Sequence, residues 1–289
     1  NLNVYWHAIN QADKKKADII IATDPDADRA GIMIKNNNKW ELLNGNEVNI
    51  LLTYLVLEKY KKLKSSEIKP VILSTITTTR LIEVITANYK CKAKTDILPG
   101  FRYIAQEIEK LDKDKSEKLA IAMDDNYGQL AGCYARDKDG CTASILLSQL
   151  TGELKDNKLT LYSALNAAYT KFGFYSSTDY KLKFNFSFES VKIENLMSKL
   201  RKKQSTLFEH YKVSTFKDYF DSDKPDHSTD LVEFTFEKLG NFEYIRLLIR
   251  PSGTEAALKL YIEVGTQKGL SEIEKLRKEA NRLHIELKN

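Results

Sequence analysis

The sequence predicts an α/β protein with mixed, mostly parallel sheets and flanking helices, followed by a smaller α+β domain with an antiparallel sheet. Three observations carry that expectation. From residue 17 to residue 173, short apolar, partly β-branched runs alternate with longer stretches of helical periodicity, the pattern of α/β layers. After "KFGFYSS" (171–177) the pattern changes to strands that alternate apolar and polar residues, starting with "YKLKFNFSF" (180–188). The 289 residues are 42% hydrophobic and 29% charged, which fits a folded chain of two or three domains and excludes the composition of a disordered one.

In chain order, the apolar runs place strands at 17–23 (ADIIIAT), 70–76 (PVILSTI) and 118–123 (KLAIAM). Helical spacing places helices at 46–64, 78–89, 101–112, 141–151 and 158–172. "NGNE" (44–47) supplies a turn and an Asn N-cap for the first helix, and Thr77 to Thr79 can cap the second. Beyond a boundary near 174–178 the order is a strand, a helix carrying Ile193, Leu196, Met197 and Leu200, three more strands, and a final helix over 271–287. The expected domains are 1–39, 40–173 and 178–289.

Lys plus Arg number 45 against 40 Asp plus Glu, and the basic residues are scattered rather than gathered into a block, so nucleic acid is not the expected partner. Cys91, Cys133 and Cys141 are odd in number and lack C-x-x-C spacing, which indicates neither a disulfide framework nor a zinc site. The longest apolar stretch, around Ile50 to Leu57, is far short of the ~18 residues that span a bilayer. A cytoplasmic protein without a membrane partner is the expectation. The chain starts at Asn1, without Met, in the helix-like "VYWHAINQADKKKA", which reads as a chain cut inside a domain.

The chemistry concentrates in four stretches. In "DIIIATDPDADR" the aspartates Asp24, Asp26 and Asp28 alternate on a turn after an apolar strand, the arrangement a hard divalent cation needs. Arg29 beside them can orient the carboxylates and offer a fork to a phosphate oxygen. An EF-hand is excluded, because its sixth and twelfth positions would be Arg29 and Lys35 instead of Gly and Glu. A haloacid-dehalogenase-like phosphatase with Asp24 as nucleophile, and a plain solvated acidic turn, stay open on this stretch alone. "LIRPSGTEAALKLYIEV" (248–264) sets Arg250, Ser252, Gly253 and Thr254 in a turn between apolar strands, an anion nest or an ordinary hairpin. "AIAMDDNYGQLAG" (120–132) ends a strand in Asp124, Asp125 and Asn126, suited to sugar hydroxyls or to capping the loop. "ILPGFRYIAQEI" (97–108) puts Gly100 and Arg102 at a strand-to-helix junction that favours anions, and "ARDKDG" (135–140) adds Arg136 and Lys138.

The order of these stretches, with "DPDADR" and "RPSGTE" as the specific parts, resembles the α-D-phosphohexomutase superfamily of phosphoglucomutases and phosphomannomutases. The likeness runs over essentially the whole chain and matches the end of the second of the family's four domains plus the third and fourth. It implies that Asp24, Asp26 and Asp28 hold Mg²⁺, that Arg29 and Lys138 lie by the reacting groups, and that Gly100, Arg102, Asp124 and Asn126 face the sugar phosphate. It also implies that Arg250, Ser252, Gly253 and Thr254 clasp the phosphate that is not transferred. The implied reaction moves phosphate between C1 and C6 of a hexose through a bisphosphate and a phosphoserine.

Three departures qualify the likeness. The family's serine stretch, T-x-S-H-N, does not occur in the chain, so the implied partners are a hexose phosphate, a hexose bisphosphate and a missing N-terminal catalytic domain. Met123-Asp124-Asp125-Asn126 stands where the family has G-E-x-S, which withdraws the carboxylate by about one C–C bond, ~1.5 Å. Pro99 and Arg102 stand where Thr and Lys are common. A non-catalytic sugar-phosphate binder of the same fold is the rival expectation. Without a phosphoserine opposite them, the three aspartates are expected to be solvent-facing and mobile.

Overall fold

A computed structural model describes residues 2–62, 69–113, 116–183, 189–202, 208, 211–223, 228–252, 257–267 and 278. The chain divides into two compact units, Asn1–Phe172 and Gly173–Asn289.

The first unit opens with α1 (Trp6–Lys14), which leads into an antiparallel meander of β1 (Ile19–Thr23), β2 (Ala30–Asn36) and β3 (Lys39–Leu42). Asn37 and Asn38 join β2 to β3 with φ of 47° and 64°. Two consecutive left-handed residues make the hairpin turn whose twist matches the strands, and asparagine tolerates that region better than most side chains. Ile20, Met33 and Ala12 form the small core beneath this meander, flanked by Trp40 and Leu42. The parallel pairing expected from sequence therefore begins only after this meander.

A second sheet has the order β5-β4-β6-β7, built from β4 (Lys69–Thr75), β5 (Lys92–Ile97), β6 (Glu117–Met123) and β7 (Gln129–Leu130). β4 pairs parallel with β5 and β6, and β7 closes the edge antiparallel. Around it lie α2 (Gly45–Lys62), α3 (Leu81–Asn88), α4 (Phe101–Asp112), α5 (Gly140–Asp156) and α6 (Leu161–Phe172). α2 starts on a reciprocal capping box: Glu47 N–H donates to Asn44 Oδ1 (2.9 Å) and Asn44 N–H to Glu47 Oε2 (2.8 Å). From Val48 to Leu57 only Tyr54 escapes full burial, so α2 is a core helix rather than an amphipathic one. Phe101, Ile104 and Ile108 of α4 pack on Val71, Leu73, Ile97 and Leu119 of the strands. Each such fully buried side chain contributes about 2 kcal/mol of apolar burial.

β4, β5 and β6 are parallel, so the loops that follow them open on one edge of the sheet. This is the edge at which open α/β sheets place ligands. It brings together Thr75–Thr79, Gly100–Arg102 and Asp124–Gly128.

The second unit is a five-stranded antiparallel sheet of order β8-β12-β11-β10-β9, made of β8 (Phe174–Lys183), β9 (Val213–Asp218), β10 (Val232–Phe236), β11 (Tyr244–Pro251) and β12 (Ala257–Thr266). Four strands follow α7 (Glu189–Lys202), one more than the sequence pattern showed. Ile193, Met197 and Leu200 are the buried side of α7. One sheet face is aromatic and aliphatic, with Phe234, Phe236, Leu247 and Ile262 buried on it. The other face carries a buried ion pair, Arg246 Nε to Glu233 Oε1 at 2.6 Å. The expected last helix, 271–287, lies outside the described residues apart from Lys278.

Candidate functional site

The turn after β1 folds around Arg29. Its backbone N–H donates to Asp24 Oδ1 (3.1 Å), and its Nε donates to Asp24 Oδ2 (2.6 Å) and Asp28 Oδ1 (3.3 Å). Partial desolvation pushes the Asp24 carboxyl up, but the bonds from Arg29 outweigh it and hold the group below the ordinary carboxylate range. The backbone closes through Ala27 N–H to Asp24 O (3.0 Å), and Ala27 takes a left-handed φ of 57°. One oxygen from each of Asp24, Asp26 and Asp28 lies within 4.8 Å of the other two.

Those donors fit a hard cation. All are carboxylate oxygens, and ~2.1 Å bonds to Mg²⁺ would draw them together by small side-chain rotations while leaving positions for water or phosphate. Asp26 is exposed, whereas Asp24 and Asp28 are partly buried. The expectation of a solvent-facing turn thus holds for one aspartate of the three, because Arg29 and Lys138 offset the repulsion that would drive the others outward.

Two neighbouring loops lock onto this turn. Gly140, the first residue of α5, donates its N–H to Ala27 O at 2.9 Å. A Cβ at Gly140 would lie 2.7 Å from Arg29 O and 2.9 Å from Ala27 O, so the close approach requires glycine. Asp139 caps α5 by accepting from Cys141 N–H (2.7 Å) and Thr142 N–H (3.3 Å). The stretch before that cap sends Lys138 Nζ to Asp28 Oδ2 at 2.5 Å. Arg136 turns the other way, to Asp112 and the carbonyls of Cys133 and Ala135, so of the two basic residues only Lys138 joins the aspartates. Burial alone would lower the Lys138 ammonium, but Asp28, with Asp124 and Asp137, raises it above the ordinary lysine value.

The loop after β6 is the second neighbour. Asp124 Oδ1 accepts from Asn126 N–H (2.8 Å) and Gly128 N–H (2.9 Å), and Asp124 N–H donates to Gly128 O (2.9 Å). Asp124 therefore organises its own loop with one oxygen. Its other oxygen lies beside the Lys138 stem: a Cβ at Gly128 would meet Lys138 Cδ at 2.5 Å and Asp124 Oδ2 at 2.7 Å. Burial and the adjacent Asp125 charge push the Asp124 carboxyl up to about 6, against the N–H bonds and Lys138. Asp125 accepts from Thr77 Oγ1, and Thr77 belongs to a hydroxyl cluster in which Thr75 Oγ1 lies 3.0 Å from Thr77 Oγ1 and 3.1 Å from Thr78 Oγ1. Asn126 is exposed at the loop tip.

Gly100 sits just before α4 with φ 123°, a conformation that favours glycine. Arg102 is exposed in the first turn of α4, its Nη2 donating to Tyr103 OH at 2.7 Å and its guanidinium stacking 4.6 Å from the Tyr103 ring. In the second unit, Arg250 donates through Nε to Tyr261 OH (3.2 Å), which leaves its terminal nitrogens without a hydrogen bond among the described residues. Ser252 N–H donates to Ala257 O (2.8 Å), while its buried Oγ has no partner among the described residues. Arg250 and Ser252 stand two residues apart at the end of β11, and a guanidinium and a hydroxyl are both groups that suit an anion. Gly253 and Thr254 lie outside the described residues.

The charged groups stand out in the sequence and their supports do not: Thr77 reads there only as a helix cap, and Asn49 and Gln129 carry no signal. Thr77, Asn49 and Gln129 are uncharged and buried, and no local pattern connects residues so far apart in the chain. Gly140 had a signal, because a glycine after Asp139 at the start of a helical stretch is a cap that permits close approach.

Comparison with known proteins agrees with this architecture. Residues 44–172 match the family described as phosphoglucomutase/phosphomannomutase, alpha/beta/alpha domain III. The chain is 30% identical over 259 residues to the phosphoglucomutase of Staphylococcus saprophyticus, covering 88% of this chain and 46% of that protein. It is 29% identical over 263 residues to the phosphoglucomutase of Staphylococcus aureus, covering 89% and 46%. The chain therefore spans about half the length of the curated relatives it matches. Among solved structures, pp63/parafusin, a phosphoglucomutase from Paramecium, superimposes with a TM-score of 0.63 at 16% identity over 94% of this chain and 45% of that one. A phosphoglucomutase/phosphomannomutase family protein from Burkholderia thailandensis gives 0.59 at 15% identity over 97% and 50%. At such identities the structures speak for the fold, and the sequence matches carry the kinship. Residues 44–172 thus match the phosphoglucomutase/phosphomannomutase domain III, and the chain is similar in sequence to phosphoglucomutases and in fold to solved members of that family.

Proposed function

We propose that the chain is the metal-holding and hexose-phosphate-binding part of a phosphohexomutase, which moves phosphate between C1 and C6 of a hexose through a bisphosphate. The observation that carries this reading is the convergence of three segments: the aspartate turn, Lys138 and the Asp124 loop, joined by the 2.5 Å contact of Lys138 with Asp28. Asp24, Asp26 and Asp28 would hold Mg²⁺, which supplies charge neutralisation to a transferring phosphoryl group.

The chain's own residues do the positioning. Arg29 fixes Asp24 and Asp28 in one orientation and keeps Asp24 ionised. Lys138 brings a second positive charge to the same place, where a phosphate oxygen can share it. Asp124, with its carboxyl near neutrality, can accept a hydrogen bond from a sugar hydroxyl or exchange a proton with it. Gly100 and Arg102 at the start of α4 offer an anion site on the same sheet edge. Arg250 and Ser252, with Gly253 and Thr254, are assigned to the phosphate that is not transferred.

Phosphoryl exchange by this route needs a phosphorylated serine, and the chain has no T-x-S-H-N stretch. The reading is that a segment bearing the serine completes the enzyme and that the chain alone does not turn over. The test is to mix the chain with such a segment from a phosphoglucomutase and follow glucose 1-phosphate to glucose 6-phosphate. Conversion that needs both parts supports the reading, and its absence when the two parts demonstrably associate counts against it.

A second reading, a non-catalytic sugar-phosphate binder, is favoured by the engagement of Asp124 Oδ1 within its own loop. Binding of glucose 1-phosphate without conversion in the completed mixture would select it. A phosphatase with Asp24 as nucleophile is disfavoured, because Arg29 holds both Asp24 oxygens.

A further inference from the structure

Beneath the Asp124 loop lies a chain of buried amides. Asn49 of α2 and Gln129 of β7 are both 0% exposed. Asn49 Nδ2 donates to the backbone oxygen of Asp124 at 2.6 Å, and Gln129 Nε2 donates to Asn49 Oδ1 at 3.0 Å. The amide orientations are forced. A carbonyl oxygen only accepts, so Asn49 must present its NH₂ to Asp124, which leaves its oxygen for the NH₂ of Gln129. Gln129 Oε1 is then directed to a buried place where it has no partner.

Gln129 holds a second loop through its backbone. Its carbonyl accepts from Asp139 N–H at 2.7 Å, next to Lys138. One residue thus ties the Asp124 loop by its side chain, through Asn49, and the Lys138 loop by its main chain. The β6–β7 pairing fixes the start of this connection, since Gln129 lies opposite Met123, the residue before Asp124.

We propose that Asn49 and Gln129 are positioning residues, a two-amide relay that sets Asp124 against Lys138 for hexose-phosphate binding. The proposal rests on the reading of this loop as sugar-facing. Neither amide touches the substrate region, and their part is to keep the Asp124 carbonyl in place. Leaving an acceptor unpaired inside the protein is costly, and the orphaned Gln129 oxygen is the cost of directing both NH₂ groups toward the loop.

The orphan makes the relay separable from folding. Gln129→Met keeps the length of the side chain and removes the unpaired Gln129 oxygen, but leaves Asn49 Oδ1 unpaired in its place, so the count of buried unpaired acceptors is unchanged and the loss of stability should be confined to one hydrogen bond, about 1 kcal/mol. The control is Thr53→Val: Thr53 is also buried on α2, but it donates to Met123 Sδ (3.7 Å) and makes no bond to the loop.

Two quantities are measured on the 289-residue chain and both variants: hydrogen exchange at the Asn126 and Gly128 amides, and calorimetric affinity for glucose 1-phosphate. Gln129→Met should speed exchange at both amides by about tenfold and weaken glucose 1-phosphate by about tenfold, the equivalent of one ordinary hydrogen bond. Thr53→Val should change neither. Unchanged exchange in Gln129→Met, or equal acceleration in Thr53→Val, overturns the relay. If the parent chain does not bind glucose 1-phosphate, the sugar-facing reading fails, and the exchange comparison still decides whether the amides hold the loop.

Discussion

Lys138 Nζ lies 2.5 Å from Asp28 Oδ2, a contact between residues 110 positions apart that brings a second cation to the aspartate turn. Arg29 alone would leave the three carboxylates with a formal charge of −2, and Lys138 reduces it to −1. Lys138 therefore stabilises the turn while competing with any metal ion for Asp28. Lys138→Met is expected to lower the melting temperature without metal and to enlarge the upward shift produced by saturating Mg²⁺. Thermal melts with chelator and with Mg²⁺ check this, and an Mg²⁺-induced shift equal to that of the parent would show that the two cations do not compete.

Gly140 and Gly152 stand in the same helix, α5, and should respond to alanine with opposite signs. At Gly140 the added Cβ meets Arg29 O at 2.7 Å, and the backbone must move, a cost of about 1–3 kcal/mol. At Gly152 nothing lies within 4 Å, so alanine should gain its helix propensity, about 1 kcal/mol. Denaturant midpoints of the two variants measure this. Gly140→Ala should also weaken Mg²⁺ binding, because the displaced carbonyls belong to the aspartate turn.

The Asp124 carboxyl, raised to about 6, makes a pH prediction. An unfolded aspartate titrates near ~3.9, so between about pH 4 and pH 6 the folded state holds more protons than the unfolded one. Stability from this group is full below pH 4, falls as pH rises to 6, and stays lower above. Asp124→Asn keeps an oxygen for the Asn126 and Gly128 N–H groups and removes the buried charge. The variant should match the parent near pH 4 and exceed it at pH 8 by on the order of 2 kcal/mol, read from denaturant unfolding at the two pH values. A constant difference across that range would place the titration elsewhere.

Much of this architecture was legible in the sequence because local rules agreed with the tertiary outcome. β1, β4 and β6 fell on their apolar runs, and α4 occupies the expected 101–112. The β2–β3 hairpin was missed although Asn37-Asn38 is a hairpin signal, since "AGIMIKNN" reads as apolar periodicity before it reads as a strand. β5, "KAKTDI", was hidden because an edge strand buries little and its lysines resemble loop. In the site, the charged residues announced themselves by type and spacing. Their geometry did not: that Lys138 joins the aspartates while Arg136 turns to Asp112 depends on how α5 is docked against the β1–β2 turn, which no local pattern encodes.

On the proposed function, Asp24, Asp26 and Asp28 seat a divalent cation beside a bound hexose phosphate. Calorimetric titration of Mg²⁺ into the chain, with and without glucose 1-phosphate, measures this. One saturable Mg²⁺ per chain is expected, tighter when glucose 1-phosphate is present and abolished by Asp26→Asn with Asp28→Asn. No saturable binding, or binding that survives the double substitution, would contradict it.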